Sequence, residues 1–324
     1  MRILVTGASG FLGLALTDRL ARRGDDVHAA DCRPPPVFAE GALSPRITRH
    51  VLDLTDREAV MAVATEVGPA TVVHAAAATP DAAREAAGDA AAIVAVNVGG
   101  TANVVEAAAA TGAQRLLALS SVAVYGRTLA DTPVLREDMS PRPQTLYAIT
   151  KAAAEALSLR LGAVHSLPVC APRIGILWGA WEHRTDQRAT PSPAFAMFEV
   201  ARAGRDVVLP APATAPLLHV DAAVDALIAL IEGDITGPVN LGAPASVNLL
   251  NFARTVAGRY GASAQISAEA PNIALFAADR PPTDNARLQA ATGHVIPAHD
   301  DALVARHAAW LDAHHGTPVS HRAT

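Results

Sequence analysis

The chain opens on Arg2-Ile3-Leu4-Val5-Thr6-Gly7-Ala8-Ser9-Gly10-Phe11-Leu12-Gly13, the stretch that decides its fold. Residues 2–6 are β-formers, glycines follow at intervals of three, and the apolar-periodic run over residues 14–20 predicts a helix. The first glycine permits a tight turn, the second lets backbone N–H groups approach a pyrophosphate, and the third lets helix and strand pack closely. The stretch therefore predicts a strand, turn and helix that bind a dinucleotide at the helix amino terminus.

A carboxylate after the next strand bears on which dinucleotide binds. Residues 26–30 predict that strand, and Asp31 follows at about the distance expected for an acid that accepts the ribose 2′-hydroxyl. This favours NAD, because a carboxylate there repels a 2′-phosphate. Arg33 keeps NADP open as the alternative, since an arginine near that position can accommodate the phosphate. A turn acid without a ligand is the structural alternative for Asp31.

The composition is that of a globular α/β protein. A chain of 324 residues that is 51% hydrophobic and 18% charged can bury a large core. Ala-rich helical patterns alternate with short Val/Ile/Leu runs, which predicts parallel strands covered on both faces. We expect a Rossmann-like doubly wound parallel sheet with a smaller, mixed C-terminal substrate lobe. The formal net charge of -5, without a clustered basic stripe, argues against nucleic acid as a partner.

Three features bear on where the protein resides. Cys32 and Cys170 form neither a disulfide framework nor a metal-ligand cluster, which fits a reducing compartment. No signal peptide is expected, because Met1-Arg2 leads straight into the first strand. Residues 91–110 are apolar but interrupted by Asn, Gly and Glu, which predicts a buried helix rather than a membrane span. We expect a cytoplasmic protein that contacts no membrane.

Short apolar runs predict the remaining strands and the division into domains. Strands are expected at 2–6, 26–30, 48–52, 71–74, 115–120 and 169–174, and residues 239–242 are expected to return to the sheet. Later helices are expected at 194–204, 220–231, 249–260 and 300–314, with a long loop over the site at 178–193. Residues 1–175 with about 205–242 would form the dinucleotide-binding domain, and about 176–204 with 243–315 the substrate-binding lobe.

A tyrosine and a lysine follow the strand that ends in Ser120-Ser121. Tyr147 and Lys151 lie four residues apart, so in a helix the phenol and the ammonium would point into the same space. Bringing a phenol from a pKa near 10 to neutral pH needs roughly 3 units, about 4 kcal/mol of preferential stabilisation of the phenolate. A lysine charge and an oxidised nicotinamide would together supply it. A surface helix pair without chemistry is the alternative.

Several motifs, in the same order along the chain, resemble those of the extended short-chain dehydrogenase/reductase family, in its NAD-dependent epimerase/dehydratase branch. The matching segments are residues 6–13, 52–54, 72–76, 97–104, 120–126, 173–179 and 219–221. The resemblance implies an enzyme that uses NAD, or NADP as the alternative, and acts on a small-molecule substrate. It also implies a homodimer through the helix of residues 97–110 and the helix that carries Tyr147.

The resemblance implies roles for individual residues. Coenzyme contacts are expected from Gly7, Ser9, Gly10, Phe11, Leu12, Gly13, Asp31, Arg33, Asp53, Leu54, His74, Ala75, Ala76, Asn97, Ser120, Tyr147, Lys151 and Ile174. Tyr147 would be the acid and base, Lys151 would bind the nicotinamide ribose, and Ser121 would hold the reacting oxygen, with Ser120 as the alternative serine. His74 is expected to be a satisfied residue beside the coenzyme. Asn97 has either a structural or water-relay role or a plain packing role.

The chain departs from the family at positions that bear on the reaction. Dehydratases carry carboxylates after the active-site serine or threonine, where this chain has Val122 and Ala123. Sugar-nucleotide epimerases commonly carry an asparagine and an arginine that grip a diphosphate, where this chain has Ile176 and Ala215. Removing a donor and a cation would leave a diphosphate poorly compensated. Arg280 still resembles a later family arginine, which keeps nucleotide sugars open.

The predicted loop over the site supplies candidate substrate contacts. Trp178, Trp181, His183, Arg184 and Arg188 would hold a small polyol acid, with arginine on a carboxylate and tryptophan on an apolar face. A solvated loop without function is the alternative. By resemblance, His219 also belongs to the substrate side. The substrate residues expected are Ser121, Trp178, Trp181, Arg184, Arg188, His219 and Arg280.

These observations lead to three functional hypotheses. The first is an NAD(P)-dependent dehydrogenase or reductase that acts on a secondary alcohol or ketone of a small polar metabolite, such as a sugar or sugar acid. The second is a sugar-nucleotide epimerase, which oxidises and re-reduces one carbon without net redox change. The third is a coenzyme-sensing protein without turnover, which an intact Tyr147, Lys151 and Ser121 set argues against.

Overall fold

The computed structural model describes residues 1–80, 82–130, 132–185, 191–275 and 280–315. The strands are β1 (Arg2–Thr6), β2 (Asp26–Asp31), β3 (Ile47–Val51), β4 (Thr71–His74), β5 (Arg115–Ala118), β6 (Ser120–Ser121), β7 (Val169–Ile174), β8 (Ile176–Trp178), β9 (Val207–Leu209), β10 (Thr214–Ala215), β11 (Leu217–His219), β12 (Gly237–Leu241), β13 (Val247–Asn248) and β14 (Ala264–Ile266). The helices are α1 (Phe11–Arg23), α2 (Val37–Glu40), α3 (Arg57–Val67), α4 (Ala82–Ala86), α5 (Ala90–Val94), α6 (Gly100–Ala110), α7 (Leu146–His165), α8 (Pro193–Arg202), α9 (Val220–Glu232), α10 (Leu249–Arg259), α11 (Ala286–Thr292) and α12 (Ala302–His315). A π-helical turn, Ala95–Gly99, joins α5 to α6, and 3-10 turns over Val122–Ala130 follow β6.

A parallel sheet organises the molecule. Its strand order is β12-β7-β5-β4-β1-β2-β3, and β6 prolongs β5 alongside β7. The chain builds outward from β1 to β3 and then crosses to β4 on the other side of β1, so the order reverses between β1 and β4. Ligands bind at such a reversal, beyond the carboxyl ends of the strands. The predicted doubly wound sheet is confirmed.

The predicted strand at 115–120 is interrupted at Leu119. Residues on both sides pair with β7 in one register, Leu117 with Cys170 and Ser120 with Arg173. In that register Leu119 stands opposite Pro172, which has no backbone N–H to donate. The interruption leaves Leu119 O available to a side chain of the site. Elsewhere β1, β4 and β7 match the predicted bounds, and β2 and β3 differ by one residue.

Alternating residues of the strands face two helical layers. Ile3 and Val5 point into a core with α1 and α9, whereas Leu4 points into a core with α3 and α6. This alternation follows from the pleat of a strand. Helix α7 packs beside α6 on the second face. Both layers are therefore needed to hold the strand ends that form the site.

A separate core builds the smaller lobe. It packs α8, α10 and α12 around Trp178, Phe198 and Phe252. Val207 and Leu209 of β9 belong to this core, whereas Val220 at the start of α9 belongs to the core of the large sheet. The chain thus returns to the core of the large sheet near the start of α9, whereas the sequence places that boundary at about 205.

Of the described residues, one helical stretch, Ala90–Ala110, is long and apolar enough by length and composition to cross a membrane. It comprises α5, the π-helical turn and α6. Its α6 part packs against α3 and α7. The stretch therefore forms part of a helical layer on the sheet.

Candidate active site

The glycine-rich turn adopts the geometry that its spacing predicts. Gly7 has φ of +70°, and a Cβ at this position would lie 2.4 Å from Ala76 N. A Cβ on Gly13 would lie 2.2 Å from Gly7 O. Gly10 is the N-cap of α1 and has no side chain with which to cap it, so the first N–H groups of α1 face the crevice. The turn is thus a close-packed cradle at a helix amino terminus.

The main cleft has a volume of about 390 Å³ and lies against this turn. Its walls include Gly7, Gly10, Phe11, Leu12, Gly13, Arg33, Ala75, Leu119, Ser120, Ser121, Tyr147, Lys151 and Ile174. The structure therefore brings the three expected catalytic residues to the same cleft as the glycine-rich turn. These segments are more than 100 residues apart in sequence.

A second pocket, of about 130 Å³, adjoins the main cleft and shares Gly7, Gly10 and Arg33 with it. Its walls include Asp31, Asp53, Leu54, Ala75, Ala76 and Ala78. The Asp31 carboxylate accepts hydrogen bonds from Ser9 N at 3.0 Å and Arg33 N at 3.1 Å, which orient it. The Asp31 carboxylate would suit the hydroxyls of a ribose, and the apolar residues of the pocket would suit a base.

Helix α7 positions Tyr147 in its first turn. Thr145 is the N-cap, and its hydroxyl accepts a hydrogen bond from Ala148 N at 3.2 Å. The Glu85 carboxylate accepts another from Leu146 N at 3.0 Å. Two of the otherwise unpaired N–H groups at the start of the helix are thereby satisfied. These bonds fix where the phenol of Tyr147 enters the cleft.

Lys151 follows one turn later on the same helix and is buried. Its ammonium donates a hydrogen bond to Leu119 O, the carbonyl at the interruption of the strand. Burial lowers the pKa of Lys151 to about 8, and the Glu155 carboxylate opposes this shift. Lys151 is therefore charged below about pH 8 and loses its charge as the pH rises above that value.

The two adjacent serines have different partners. Ser120 Oγ donates to Glu155 Oε2 at 2.6 Å, in the buried interior. Ser121 Oγ accepts a hydrogen bond from Ala123 N at 3.1 Å, which leaves its proton to be donated. Both line the cleft, but Ser120 already uses its proton. The geometry thus favours Ser121 over Ser120 as the donor to a substrate.

His74 is hydrogen-bonded at both ring nitrogens. Thr101 Oγ1 donates to Asn97 O at 2.6 Å, so it accepts from His74 Nε2 at 3.0 Å, and Thr6 Oγ1 donates to His74 Nδ1 at 2.7 Å. Burial, and then the charge of Lys151, lower the pKa of His74 to about 3. An imidazole that is neutral and hydrogen-bonded at both nitrogens is not available as a general acid or base. His74 is therefore satisfied within the protein, and it is not among the described residues that line the main cleft or the second pocket.

Asn97 lies in the π-helical turn and is 2% exposed. Its amide donates to Ala78 O at 2.9 Å and to Thr150 Oγ1 at 3.0 Å, and accepts from Ala78 N at 2.7 Å. Because Ala78 lines the second pocket and Thr150 precedes Lys151, the Asn97 amide connects the pocket wall to α7. The structural role is the one that this geometry supports. No pattern in the sequence signalled the π-helical turn.

The two tryptophans expected over the substrate lie elsewhere. Trp178 is fully buried in the smaller lobe, where its ring lies 4.8 Å from the ring of His219. Trp181 packs 5.5 Å from Trp310, between α2 and α12. Neither is among the described residues that line the main cleft. Both were expected to cover a substrate because they share a loop, but apolar burial in neighbouring cores takes precedence.

His219 and Arg184 are also engaged elsewhere. His219 is the N-cap of α9, where its Nδ1 accepts from Asp221 N at 3.3 Å, and burial lowers its pKa to about 4. Arg184 is exposed and pairs with Glu199 at 2.5 Å. The guanidinium of Arg280 is partly buried, which lowers its pKa. Arg188 lies outside the described residues.

Among the described loop residues, His183, Thr185 and Pro191 line the cleft, together with Ser192 and Pro193 at the start of α8. His183 Nδ1 lies 2.8 Å from Trp181 O and therefore donates to it. The buried Glu182 carboxylate accepts from both Ser192 N and Ser192 Oγ at 2.8 Å, which ties the two ends of the loop together. The sequence indicated neither Thr185 nor Ser192. Which loop side chains face the cleft depends on the fold of the loop and not on a pattern in its sequence.

Known proteins resemble this chain in sequence. Residues 3–242 match the model of the NAD dependent epimerase/dehydratase family. The 3-diazoavenalumate denitrifying reductase of a Streptomyces species is 32% identical over 272 residues, which cover 79% of this chain and 82% of that protein. The dTDP-L-rhamnose 4-epimerase of Burkholderia thailandensis is 25% identical over 300 residues, 81% of this chain and 82% of that protein.

Solved structures agree on the fold. The UDP-glucose 4-epimerase of Thermus thermophilus, in complex with NAD, has a TM-score of 0.80 at 23% identity and covers 96% of this chain and 98% of that one. The relatives are thus named as a reductase and as epimerases, and the family is named for its NAD dependence. The expectations of an enzyme and of an NAD coenzyme are confirmed at this level.

Proposed function

We propose that this protein, which belongs to the NAD dependent epimerase/dehydratase family, transfers hydride between NAD and a secondary alcohol or ketone of a small polar metabolite, of the sugar or sugar-acid kind. One observation carries the proposal: Ser121, Tyr147 and Lys151 line the same cleft as the glycine-rich turn. The residues present fit a dinucleotide, because the cradle at Gly7 and Gly13 has no space for a Cβ and α1 begins without a side-chain cap.

The chain's residues would divide the work in the following way. Gly10 to Gly13 at the start of α1 would hold the pyrophosphate, and Asp31 the ribose of the adenosine. Lys151 would hold the nicotinamide ribose and, by its charge, lower the pKa of Tyr147. Tyr147 would then take the proton of a substrate hydroxyl, or return it to a carbonyl, while Ser121 donates a hydrogen bond to the reacting oxygen. When bound, the nicotinamide supplies the acceptor or donor of the hydride.

Two positions support a small substrate rather than a nucleotide sugar. Ile176 lines the cleft and is apolar, and Ala215 is buried in the core of the smaller lobe. Neither offers the donor or the cation that would compensate a diphosphate. The relative that is 32% identical is named a reductase, which agrees with net redox chemistry.

Epimerisation of a sugar nucleotide is the second candidate. The match to the dTDP-L-rhamnose 4-epimerase covers 81% of this chain, against 79% for the reductase, although at 25% identity. An epimerase would oxidise a carbon, let the ketone rotate, and reduce it from the other face with the same Tyr147. This reaction needs no net hydride transfer, so it predicts a different product balance.

A substrate panel tests the proposal. Sugars, sugar acids and nucleotide sugars would be screened with NAD and with NADP at the absorbance band of the reduced nicotinamide. Net accumulation of reduced coenzyme with a small alcohol, or its consumption with the ketone, is the expected result. Conversion of a nucleotide sugar to its epimer, with coenzyme retained and none accumulating, would instead establish the second candidate.

The coenzyme preference is expected to depend on Asp31. An Asp31→Ala change should weaken NAD about tenfold, because the ribose loses a charged acceptor, and should weaken NADP less, because repulsion of its 2′-phosphate is removed. Arg33 and Arg49 line a further small pocket beside Asp31, where a phosphate would find positive charge. Dissociation constants for both coenzymes, measured by calorimetry, check this. An unchanged ratio would refute the ribose role of Asp31.

We also propose a cytoplasmic homodimer that contacts through the helical stretch of residues 90–110 and through α7. Val94 and Ile149 support this, because they are 44% and 48% exposed on these helices despite being apolar. Free thiols at Cys32 and Cys170 support a reducing compartment. Light scattering should give twice the chain mass at micromolar concentration, and a monomer would count against the dimer.

A further inference from the structure

Glu155 stands one helical turn after Lys151, at the third of three positions spaced four apart on α7, namely 147, 151 and 155. Positions four apart share a face of a helix. The face that presents Tyr147 to the cleft therefore carries a lysine and then a buried carboxylate towards the interior. The catalytic roles proposed above use the first two groups and leave Glu155 without a role.

The side chains of Lys151 and Glu155 form hydrogen bonds with consecutive residues at one strand end. Lys151 Nζ donates to Leu119 O, and Glu155 Oε2 accepts from Ser120 Oγ at 2.6 Å. The next residue along the chain, Ser121, lines the cleft. Two adjacent points of attachment on α7 thus set where Ser121 stands relative to Tyr147 and Lys151.

Glu155 is itself held from behind by Arg173 of β7. Arg173 Nη2 donates to Glu155 Oε1 at 2.7 Å and Arg173 Nε to Oε2 at 3.1 Å, a two-pronged pair in which both groups are more than 90% buried. The guanidinium also lies 4.8 Å over the ring of Tyr125, whose hydroxyl receives a bond from Arg173 Nη1 at 2.9 Å. Because both oxygens of Glu155 accept hydrogen bonds from Arg173, the carboxylate is held in its orientation towards the strand end.

We propose that Glu155 is a positioning residue: together with Ser120 it locks the strand end that carries Ser121 onto α7, and it places a buried carboxylate one helical turn from Lys151 on the face that bears Tyr147. The role of Lys151 towards Tyr147 rests on the proposed function. The part played by Glu155 and Ser120 goes beyond it.

The charged and titratable groups around Lys151 determine whether the pKa of Tyr147 rises or falls when Glu155 is replaced. Tyr147 and Glu155 flank it on α7, His74 lies at the end of β4, and Arg173 with Tyr125 lies behind Glu155. His74 stays neutral, because its pKa is about 3. Burial holds the pKa of Lys151 at about 8, and Glu155 is the group that raises it. In Glu155→Gln the carboxylate charge is lost and the positive charge of Arg173 is left uncompensated, and both changes disfavour a charged Lys151. Lys151 would then lose its proton at a lower pH, and Tyr147 beside a neutral amine would ionise at a higher pH.

Tyrosine absorbance gives a test that needs no substrate. The chain has three tyrosines, and burial raises the pKa of Tyr125 and brings that of Tyr260 to about 12. The first tyrosine to ionise on a pH titration of the full chain should therefore be Tyr147, and Tyr147→Phe should abolish that step. Glu155→Gln should move the step upward by about one pH unit.

Two further variants separate positioning from mere stability. Ser120→Ala keeps the buried Glu155–Arg173 pair, so it remains informative if Glu155→Gln does not fold, and it should move the same step upward by a smaller amount. Ser120→Thr, which restores the hydroxyl, should return the step towards the wild-type pH. Glu106→Gln is the matched control, because Glu106 pairs with Arg57 on the surface at 3.2 Å and should leave the step unchanged.

Each outcome decides the proposal. Upward shifts in Glu155→Gln and Ser120→Ala, reversed by Ser120→Thr, support it even if no panel substrate turns over, in which case the proposed function alone fails. An unshifted or downward-shifted step in the folded variants overturns it, since loss of stability alone does not move the ionisation of a phenol in the folded protein.

Discussion

Replacement of Tyr147 by phenylalanine is expected to lower the turnover rate by about 100-fold or more, because general acid and base catalysis contributes about 10² to 10⁴. The phenol lies in the first turn of α7, fixed by the cap at Thr145 and facing the cleft that also holds Ser121 and Lys151. Phenylalanine keeps the ring and its packing but cannot exchange a proton. Coenzyme affinity should therefore change little.

Steady-state rates with the substrate that the panel identifies, together with coenzyme dissociation constants, check this expectation. Tyr260→Phe is the matched control, because Tyr260 packs against the core of the smaller lobe and is not among the described residues that line the main cleft, so loss of its hydroxyl should leave the rate unchanged. A Tyr147→Phe protein with the wild-type rate would sink the proposed chemistry and favour another proton donor. Tight coenzyme binding without any turnover in the wild type would favour the sensing hypothesis.

A methyl group on Gly13 is expected to damage both stability and coenzyme binding. The added Cβ would lie 2.2 Å from Gly7 O and 2.7 Å from Ala8 Cα, which are backbone atoms that cannot rotate away. Overpacking of this kind costs about 1–3 kcal/mol or more. Because the strain falls on the turn whose N–H groups would hold the pyrophosphate, coenzyme affinity should also fall by about tenfold or more.

Thermal unfolding and calorimetric titration of Gly13→Ala with NAD check this prediction. Gly258→Ala in α10 is the control, since a Cβ there meets no described atom within 4 Å. An exposed helical glycine replaced by alanine should stabilise the protein by about 0.5–1 kcal/mol. Equal effects of the two changes would mean that the turn does not need glycine at position 13.

The sequence predicted the strands of the sheet interior well for a physical reason. A parallel strand that is buried on both faces is mostly apolar at its centre, so β1 and β4 have the expected bounds, as does β7 although it contains Pro172 and Arg173. The glycine spacing was equally informative, because few arrangements other than a tight turn under a helix require glycines three apart. The pair Tyr147 and Lys151 was placed correctly because helical periodicity is local.

The loop over the site was predicted poorly, also for a physical reason. Trp178 and Trp181 are close in sequence to residues that line the cleft. Both tryptophans are nevertheless buried by aromatic residues that are distant in the sequence, namely Phe198, Phe252 and Trp310. A large apolar side chain goes where distant partners leave space for it. His183 was expected near the substrate and does line the cleft, whereas Thr185 carried no sequence signal.

The sequence by itself determined the strands of the parallel sheet, the glycine-rich turn and the face of α7 that bears Tyr147 and Lys151, since each depends on the spacing of residues within about a dozen positions. Only the tertiary structure decided which serine is free to donate, which loop residues reach the cleft, and that Glu155 and Arg173 brace the strand end. Those features depend on contacts between residues that are distant in the chain. The packing of both layers against one sheet brings them together.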